Sequence, residues 1–455
     1  SRDNHYHVFA NFIINRQRWE ENGGVVNRNL FTKEQEQDHL VEEINLLNAQ
    51  NKVKFFEFNL TQTYDFGRKD SVKVQDKKYL QFLPHTRISY QLSGSRNQSI
   101  YSDKTFFQKS YTGLYEFGSD TTTIVDSFQV DLFNHQLTIS SVNSNDSVFK
   151  RIDYAIGLHQ QIAHYSNADI YQDRNLQNSG YTAFLQYRLS HSIAVFARTK
   201  LALDDRNRTE AMNSTGLVFK KQQHRLSVDY AFSNNHPDYF FAKMYSPAML
   251  LKHININQST SSYRFQYHAE KWNLGLITTH YEIKNYQYWY RLNELSVIEP
   301  QYLTGITTIE QVQFYKNFRL KHFGLDNYVV YQKSNAPVQL HLPEWYTNQS
   351  IYYTGQWFKV LNIKLGFDVR YSSTFNLPAY SGISRTFYTT AELNNAATYP
   401  IVDVFIAARL KRARILVKMD HLNQGLMGNR GYFTALGYPM PDRVIKFGIS
   451  WKFFD

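Results

Sequence analysis

Arg443-Val444-Ile445-Lys446-Phe447-Gly448-Ile449-Ser450-Trp451-Lys452-Phe453 carries an apolar side chain at every second position. Ile445, Phe447, Ile449, Trp451 and Phe453 fall on one face of an extended chain; Lys446, Gly448, Ser450 and Lys452 fall on the other. Successive side chains of a strand point to opposite sides, so the spacing predicts a strand with one greasy and one wet face. The pattern recurs upstream. In 360–371, Leu361, Ile363, Leu365, Phe367, Val369 and Tyr371 alternate with Asn362, Lys364, Gly366, Asp368 and Arg370. Two such segments flank Ser190-His191-Ser192, with Tyr181, Leu185, Tyr187, Val195, Leu201 and Leu203 on the apolar side and Arg188, Arg198 and Lys200 on the polar one. This is a hairpin. A second hairpin spans 401–420, its apolar face running from Val402 to Leu410 and back through Ile415, Val417 and Met419. Asp403, Arg409, Arg412, Arg414, Lys418 and Asp420 take the opposite face.

Roughly twenty such segments are spread from end to end. A soluble sandwich of this length would need several domains joined by linkers, and no linker is visible in the sequence. A membrane barrel alternates in the same way along one continuous wall, each strand needing ~9–11 residues to cross. The expected fold is all-β: a single domain over 1–455, a transmembrane antiparallel β-barrel of about 18 strands with 16 as the alternative, short periplasmic turns and long extracellular loops. Polar stretches at 67–83, 97–124, 141–149, 166–179 and 421–442 are assigned to the long loops. One segment departs from period two. Thr32-Lys33-Glu34-Gln35 has the form of a capping box, and Leu40, Val41, Ile44 and Leu47 follow at helical spacing, which predicts a short loop helix near 33–49.

Composition agrees. The 455 residues include 34 Tyr and 33 Phe, side chains that suit a pleated surface and, for Tyr, the membrane boundary. Mean hydropathy is −0.50, and no apolar run reaches helical-span length. A barrel escapes both tests because it shows lipid only every second residue. The absence of Cys excludes disulfides, thiolate metal sites and Cys nucleophiles. The excess of 50 basic over 39 acidic residues is scattered along the alternating segments, with no basic run, so it points to a positive lumen or an anionic membrane surface rather than to nucleic acid. The chain opens Ser1-Arg2-Asp3-Asn4-His5 without a leader-like apolar stretch, so a signal peptide is expected to have been removed or to lie upstream.

The C-terminal part carries a more specific signal. Tyr399-Pro400-Ile401-Val402-Asp403, Leu410-Lys411-Arg412-Ala413-Arg414, Asn423-Gln424-Gly425, Tyr438-Pro439-Met440-Pro441-Asp442-Arg443 and the closing Phe447-Gly448-Ile449-Ser450-Trp451-Lys452-Phe453-Phe454-Asp455 resemble the putative porin family of Bacteroidetes. The resemblance covers roughly the last 60 residues; upstream it is one of texture. It implies a bacterial outer-membrane barrel with porin-like character. The aromatic end of the last strand resembles the signal read by outer-membrane assembly machinery, with the departure that Asp455 follows Phe454.

The candidate site is the set of basic residues on the polar faces: Arg188, Arg198, Lys200, Lys364, Arg370, Arg409, Arg412, Arg414, Lys418 and Lys446. Cations lining a pore concentrate anions and resist cations. The plainer alternative is an ordinary wet wall in which these residues pair with Asp368, Asp403 and Asp420, with Arg412 and Arg414 at the periplasmic rim. Tyr286, Tyr288, Trp289 and Tyr290 are expected in an aromatic girdle, with a sugar-stacking platform as the alternative. The 16 His include no HExxH or other dense ligand spacing; Asp169 and Asp173 give only a weak calcium pattern, and no metal or other cofactor is expected. Gly382-Ile383-Ser384 lacks the rest of a nucleophile elbow, so no enzyme is expected. The expected function is passive diffusion of small solutes, with a preference for anions. The alternative is a barrel subunit or scaffold of a larger envelope complex, and behind it an outer-membrane hydrolase. Expected partners are outer-membrane lipid and lipopolysaccharide, small solutes, and other outer-membrane proteins or lipoproteins.

Overall fold

A computed structural model describes the chain except residues 1–4, 29–42, 75–76, 105–122, 143–150, 168–173, 206–207, 238–253, 255, 293–297, 392, 427–430 and 453–455. In chain order the strands begin β1 (Tyr6–Glu21), β2 (Ala49–Val74), β3 (Lys77–Asp103), β4 (Ile124–Ser141), β5 (Ile152–Asn167) and β6 (Arg174–Arg188). They continue as β7 (Ile193–Asp204), β8 (Thr209–Lys221), β9 (His224–Asn235), β10 (Gln258–Ala269), β11 (Leu274–Lys284) and β12 (Gln287–Arg291). Next come β13 (Glu299–Tyr302), β14 (Ile306–Leu320), β15 (Phe323–Ser334), β16 (Trp345–Trp357), β17 (Leu361–Ser372) and β18 (Ala379–Ser381). The last are β19 (Thr386–Thr390), β20 (Ile401–Leu410), β21 (Ala413–Asp420), β22 (Phe433–Ala435), β23 (Tyr438–Pro439) and β24 (Val444–Trp451).

One antiparallel sheet of 18 strands forms the barrel wall, the number that the alternation predicts. Neighbours in sequence are neighbours in the wall, apart from short strands set aside in loops: β11 pairs β14, β17 pairs β20 and β21 pairs β24. The register explains the alternation. Across β17, β20, β21 and β24, Leu365, Ile406, Val417 and Phe447 stand in one row, and Phe367, Val404, Met419 and Ile445 in another. Phe447 is 67% exposed and Ile445 65%. Rows of large exposed apolar side chains on one face are what a lipid-facing wall requires. Near the ends joined by tight turns, Trp272, Phe323, Trp357, Phe358 and Trp451 are exposed, giving an aromatic belt at that level. Among the described residues no pairing joins β24 to β1.

Tight turns connect one end of the wall, as at 189–192, 222–223, 321–322 and 411–412. Gln222, Lys321 and Lys411 take positive φ there, the conformation that two-residue hairpin turns demand. The other end carries the longer connections, including 285–305, 373–400 and 421–443. Three sequence expectations need correcting. The helix expected over 33–49 lies outside the described residues as far as 42, and its end is not helical: Ile44 bridges Val25, and β2 starts at Ala49. The stretch 67–83 is not a long loop, because Gly67–Val74 and Lys77–Pro84 form a ladder at the turn end. The connection at 142–151 is at that end too, whereas 97–103 and 174–179 belong to β3 and β6. Polarity marks contact with water, and a wet wall face or a ribbon in water satisfies it as well as a loop does.

Candidate functional site

The inner face of the wall is identified by what rests on it. Glu21 on β1 is 6% exposed and accepts hydrogen bonds from Trp19 Nε1 (2.7 Å), Asn51 Nδ2 (2.6 Å) and the Tyr380 hydroxyl (3.2 Å). Asn51 also donates to the Gly382 carbonyl at 2.9 Å. The 373–400 connection therefore folds back onto the face carrying Glu21 and Asn51. Directly opposed residues share a face. Followed strand by strand from Asn51, the register places Arg188, Arg198, Lys200, Lys364, Arg370, Arg409, Arg414, Lys418 and Lys446 all on this face. Arg412 lies in the two-residue turn between β20 and β21, whereas Arg414 belongs to β21 itself.

These cations do not share one environment. Arg370 Nη2 lies 2.8 Å from Asp403 Oδ2, and Lys418 Nζ lies 2.9 Å from the same carboxylate, 3.1 Å from Asp420 and 3.8 Å from Asp368. Lys446 Nζ lies 2.5 Å from Asp420. Three cations thus meet three carboxylates, and the paired alternative describes this tier. Asp403 has 0% exposure and also accepts the His421 backbone N–H at 2.9 Å, so it ties the wall to the 421–443 connection. Arg188 pairs with Asp153 at 2.6 Å. Arg198 lies over Phe184 and Phe196, at 5.0 and 5.6 Å from the ring centroids. Lys364 Nζ stands 3.7 Å from the centroid of Tyr352 and 5.6 Å from that of Phe405. Among the described residues Arg198, Lys200, Lys364, Arg409 and Arg414 make no ion pair.

The sequence reading missed two further groups on this face. Arg87–Asp65 and Arg319–Asp326, both at 2.6 Å, are ion pairs within the wall. Lys220 and Arg225 face each other directly across the β8–β9 turn. The charge of Lys220 and Arg225 next to a tight turn was the available signal for the second group.

At the loop end the long connections build a second structure. β12, β13, β19 and β18 form a four-stranded sheet whose packed centre contains Trp289, Ile298, Ala379 and Tyr388. Trp289 is 4% exposed. The cluster Tyr286–Tyr290 therefore belongs to this loop sheet and not to a girdle: the period-two pattern of β11 runs on into β12, but the chain has left the wall. Tyr286 and Tyr288 stack nearly parallel with centroids 6.3 Å apart. His341 clips this sheet to its neighbour, donating through Nδ1 to the Asn376 carbonyl and accepting at Nε2 from Thr389 Oγ1, both at 2.9 Å. Leu436 N donates to Pro378 O and Val25 N to Gly437 O, each at 2.8 Å, so the connections interlock. Gly24 and Gly437 touch backbone to backbone at positive φ, where a side chain on Gly24 would strike the Gly437 carbonyl.

Burial dominates the titration of this region. It holds His341 and His421 below the usual imidazole range. Tyr380 is pushed well up, first by burial and then by the Glu21 carboxylate. Burial and the neighbouring Tyr432 push Tyr399 up to about 12; its hydroxyl donates to His421 Nε2 at 2.6 Å. Gly382-Ile383-Ser384 sits in the same region, with Ser384 Oγ 2.9 Å from Thr386 Oγ1. Among the described residues no three His, Asp or Glu side chains stand close enough to hold a metal ion. Asp169 and Asp173 lie outside the described residues.

An inner face of charged and amide side chains, a lipid-facing exterior and a single 18-stranded antiparallel wall define an outer-membrane β-barrel of the channel or transporter class. The chain belongs to the Putative porin family, whose match covers residues 1–455. No curated protein matches it. Among solved structures, the ferric yersiniabactin uptake receptor FyuA from Yersinia pestis is similar with a TM-score of 0.61 at 12% identity, over 98% of this chain and 66% of that one. The siderophore receptor PirA from Acinetobacter baumannii gives 0.63 at 10%, over 99% and 69%. The copper transporter OprC gives 0.62 at 12%, over 90% and 67%. The chain thus spans about two thirds of the length of these proteins, and at such identities the likeness is one of fold.

Proposed function

We propose that the chain is a porin-like channel, one barrel unit over residues 1–455, through which small solutes diffuse passively with a preference for anions. The observation that carries this reading is the basic inner face: nine of the ten candidate cations stand on it in register, and five of them make no ion pair among the described residues. A cation on a wet, concave wall raises the local concentration of anions. In this reading the tight turns face the periplasm and the long connections face outward, the usual polarity of such barrels. Lipid and lipopolysaccharide surround the belt of exposed aromatics. No covalent step is assigned to Ser384, whose hydroxyl is engaged with Thr386. A source among the Bacteroidetes belongs to the same proposal.

A specific observation favours a second reading. The interlocked sheet of β12, β13, β18 and β19 is more elaborate than a pore rim needs. It suits a barrel subunit that presents a structured surface to a lipoprotein or another envelope protein. Single-channel recording of the purified protein in a planar bilayer, under a KCl gradient, separates the two. Steady conductance with a reversal potential displaced toward chloride is the expected result. Absence of conductance, or preference for potassium, overturns the channel reading and leaves the loop surface as the functional part.

A further inference from the structure

We infer that Lys364, Arg409 and Arg414 form a binding site for a small organic polyanion at the turn end of the inner wall. The inference rests on the channel reading only for how the ligand arrives. Arg409 and Arg414 are directly opposed across the β20–β21 hairpin. Like charges in that position destabilise a sheet unless something neutralises them. Their other cross-strand neighbours, Asn362 and Ser450, are neutral hydrogen-bonding residues. Lys364 stands on the adjoining strand opposite Ala407, its ammonium held against Tyr352 and Phe405. None of the three has a carboxylate partner among the described residues.

The contrast with the same strands higher up is direct. Arg414 and Lys418 are four residues apart on β21, roughly 13 Å along the strand. At the level of Lys418 every cation meets a carboxylate; at the level of Arg414 none does. The wall has supplied counter-charges at one tier and left the other open. A cavity of about 730 Å³ lies along this stretch, bounded by five adjacent strands with Lys364, Arg409 and Arg414 in its lining. Gly448, Ala407 and Ser450 keep it free of bulk. Lys418 and Lys446, opposed in the same way between β21 and β24, share Asp420 as a counter-charge, and Lys220 and Arg225, opposed across the β8–β9 turn, are not part of this lining. Two guanidiniums with fixed fork geometry, one ammonium and a partly apolar floor suit a compact molecule carrying two or three carboxylate or phosphate groups.

Citrate is the probe. The purified full chain in non-ionic detergent is titrated with citrate by calorimetry at low ionic strength, with glycerol as the neutral control. Saturable citrate binding is expected, weakened at least tenfold in Arg409→Gln/Arg414→Gln and less than twofold in Lys200→Gln, another cation without an ion pair. The heat-dependent gel shift of a folded barrel verifies each variant. No binding by the parent chain, or equal binding by the double variant, overturns the site. Loss of citrate binding when phosphatidylglycerol is added to the micelles also overturns it and assigns the three cations to a lipid headgroup. A chain that conducts but does not bind citrate loses this site and keeps the channel; one that binds citrate but does not conduct does the reverse.

Discussion

The wall strands β16, β17, β20, β21 and β24 and the loop sheet of β12, β13, β18 and β19 are written in the same sequence language and end in opposite places. Leu365, Phe367, Ile406 and Phe447 alternate with polar neighbours, and their large side chains face outward into lipid. Trp289 and Tyr388 alternate as well, but they are buried among residues of other connections. Period two declares a strand with two unlike faces; it does not say what each face meets. Length and hydrogen-bond partners decide that. A strand of ten or so residues, joined by tight turns, can cross a bilayer; β12 and β19, with five each, cannot.

The difference can be broken first at Asp403, where wall and loop meet. Asp403→Ala leaves Lys418 and Arg370 short of their carboxylate and the His421 N–H unpaired. Removing one partner of a fully buried ion pair costs about 3–5 kcal/mol; the exposure of Arg370 and the second carboxylate beside Lys418 put this loss at the low end, and the temperature of the gel-shift transition should still fall more than for any other single change. An unchanged transition would show that the tier is solvated rather than structural. Trp289→Ala sharpens the comparison from the loop side. Loss of a buried Trp costs about 3–5 kcal/mol locally. Protease sensitivity at 285–305 and 373–400 should rise while the wall transition stays put; a parallel fall of both would make loop sheet and wall one cooperative unit.

Glu21→Ala should have a smaller effect, about 1–3 kcal/mol, because it strands the Asn51 and Tyr380 donors without breaking strand pairing. Channel current should become noisier as the 373–400 connection loses its hold; quiet, parent-like current would show that Asn51 alone is enough to keep it. The smallest effect is that of pH. Burial lowers the imidazoles of His341 and His421 in the folded loops, so the unfolded loops bind protons more readily. Stability is therefore full above the unfolded imidazole value, ~6.5, and declines as pH falls below it toward the folded values. Hydrogen exchange at 373–400 should speed up between pH 7 and pH 5 beyond the intrinsic trend, and His341→Gln should flatten the response. A flat response in the parent chain would place the relevant opening elsewhere.

What was legible followed from the physics of each segment. The Tyr181–Leu203 and Val402–Met419 hairpins were readable because lipid accepts only apolar side chains and water in the lumen tolerates any polar one. The basic face was readable for the same reason: Arg370, Lys418 and Lys446 sit at alternate positions of clean strands. Their partition into a paired and an unpaired tier was not readable. It depends on which carboxylate stands across the ladder, and register is a property of neighbouring strands, not of one. Asp403 meets Asp368 on one side and ends up beside Lys418 on the other, a meeting of β17, β20 and β21. The Glu21–Tyr380 contact joins residues 359 positions apart, and no local spacing announces it.

The long β2–β3 ribbon has a practical consequence. Past the irregularity at Phe66/Gly67 it continues to the Val74–Lys77 pair, while β1 pairs with β2 only as far as Tyr64 and β4 with β3 only from Thr86. Eight rungs at ~3.4 Å carry it roughly 27 Å past its neighbours. Pro84 is tolerated there because the ladder is already interrupted beside it. The chain contains no Cys, so a single Arg68→Cys would be the sole thiol, on a side chain that is exposed. Its reaction with a membrane-impermeant maleimide, from one side of a sealed vesicle and not the other, would turn the ribbon into a compass for the whole barrel, fixing which mouth opens on which compartment.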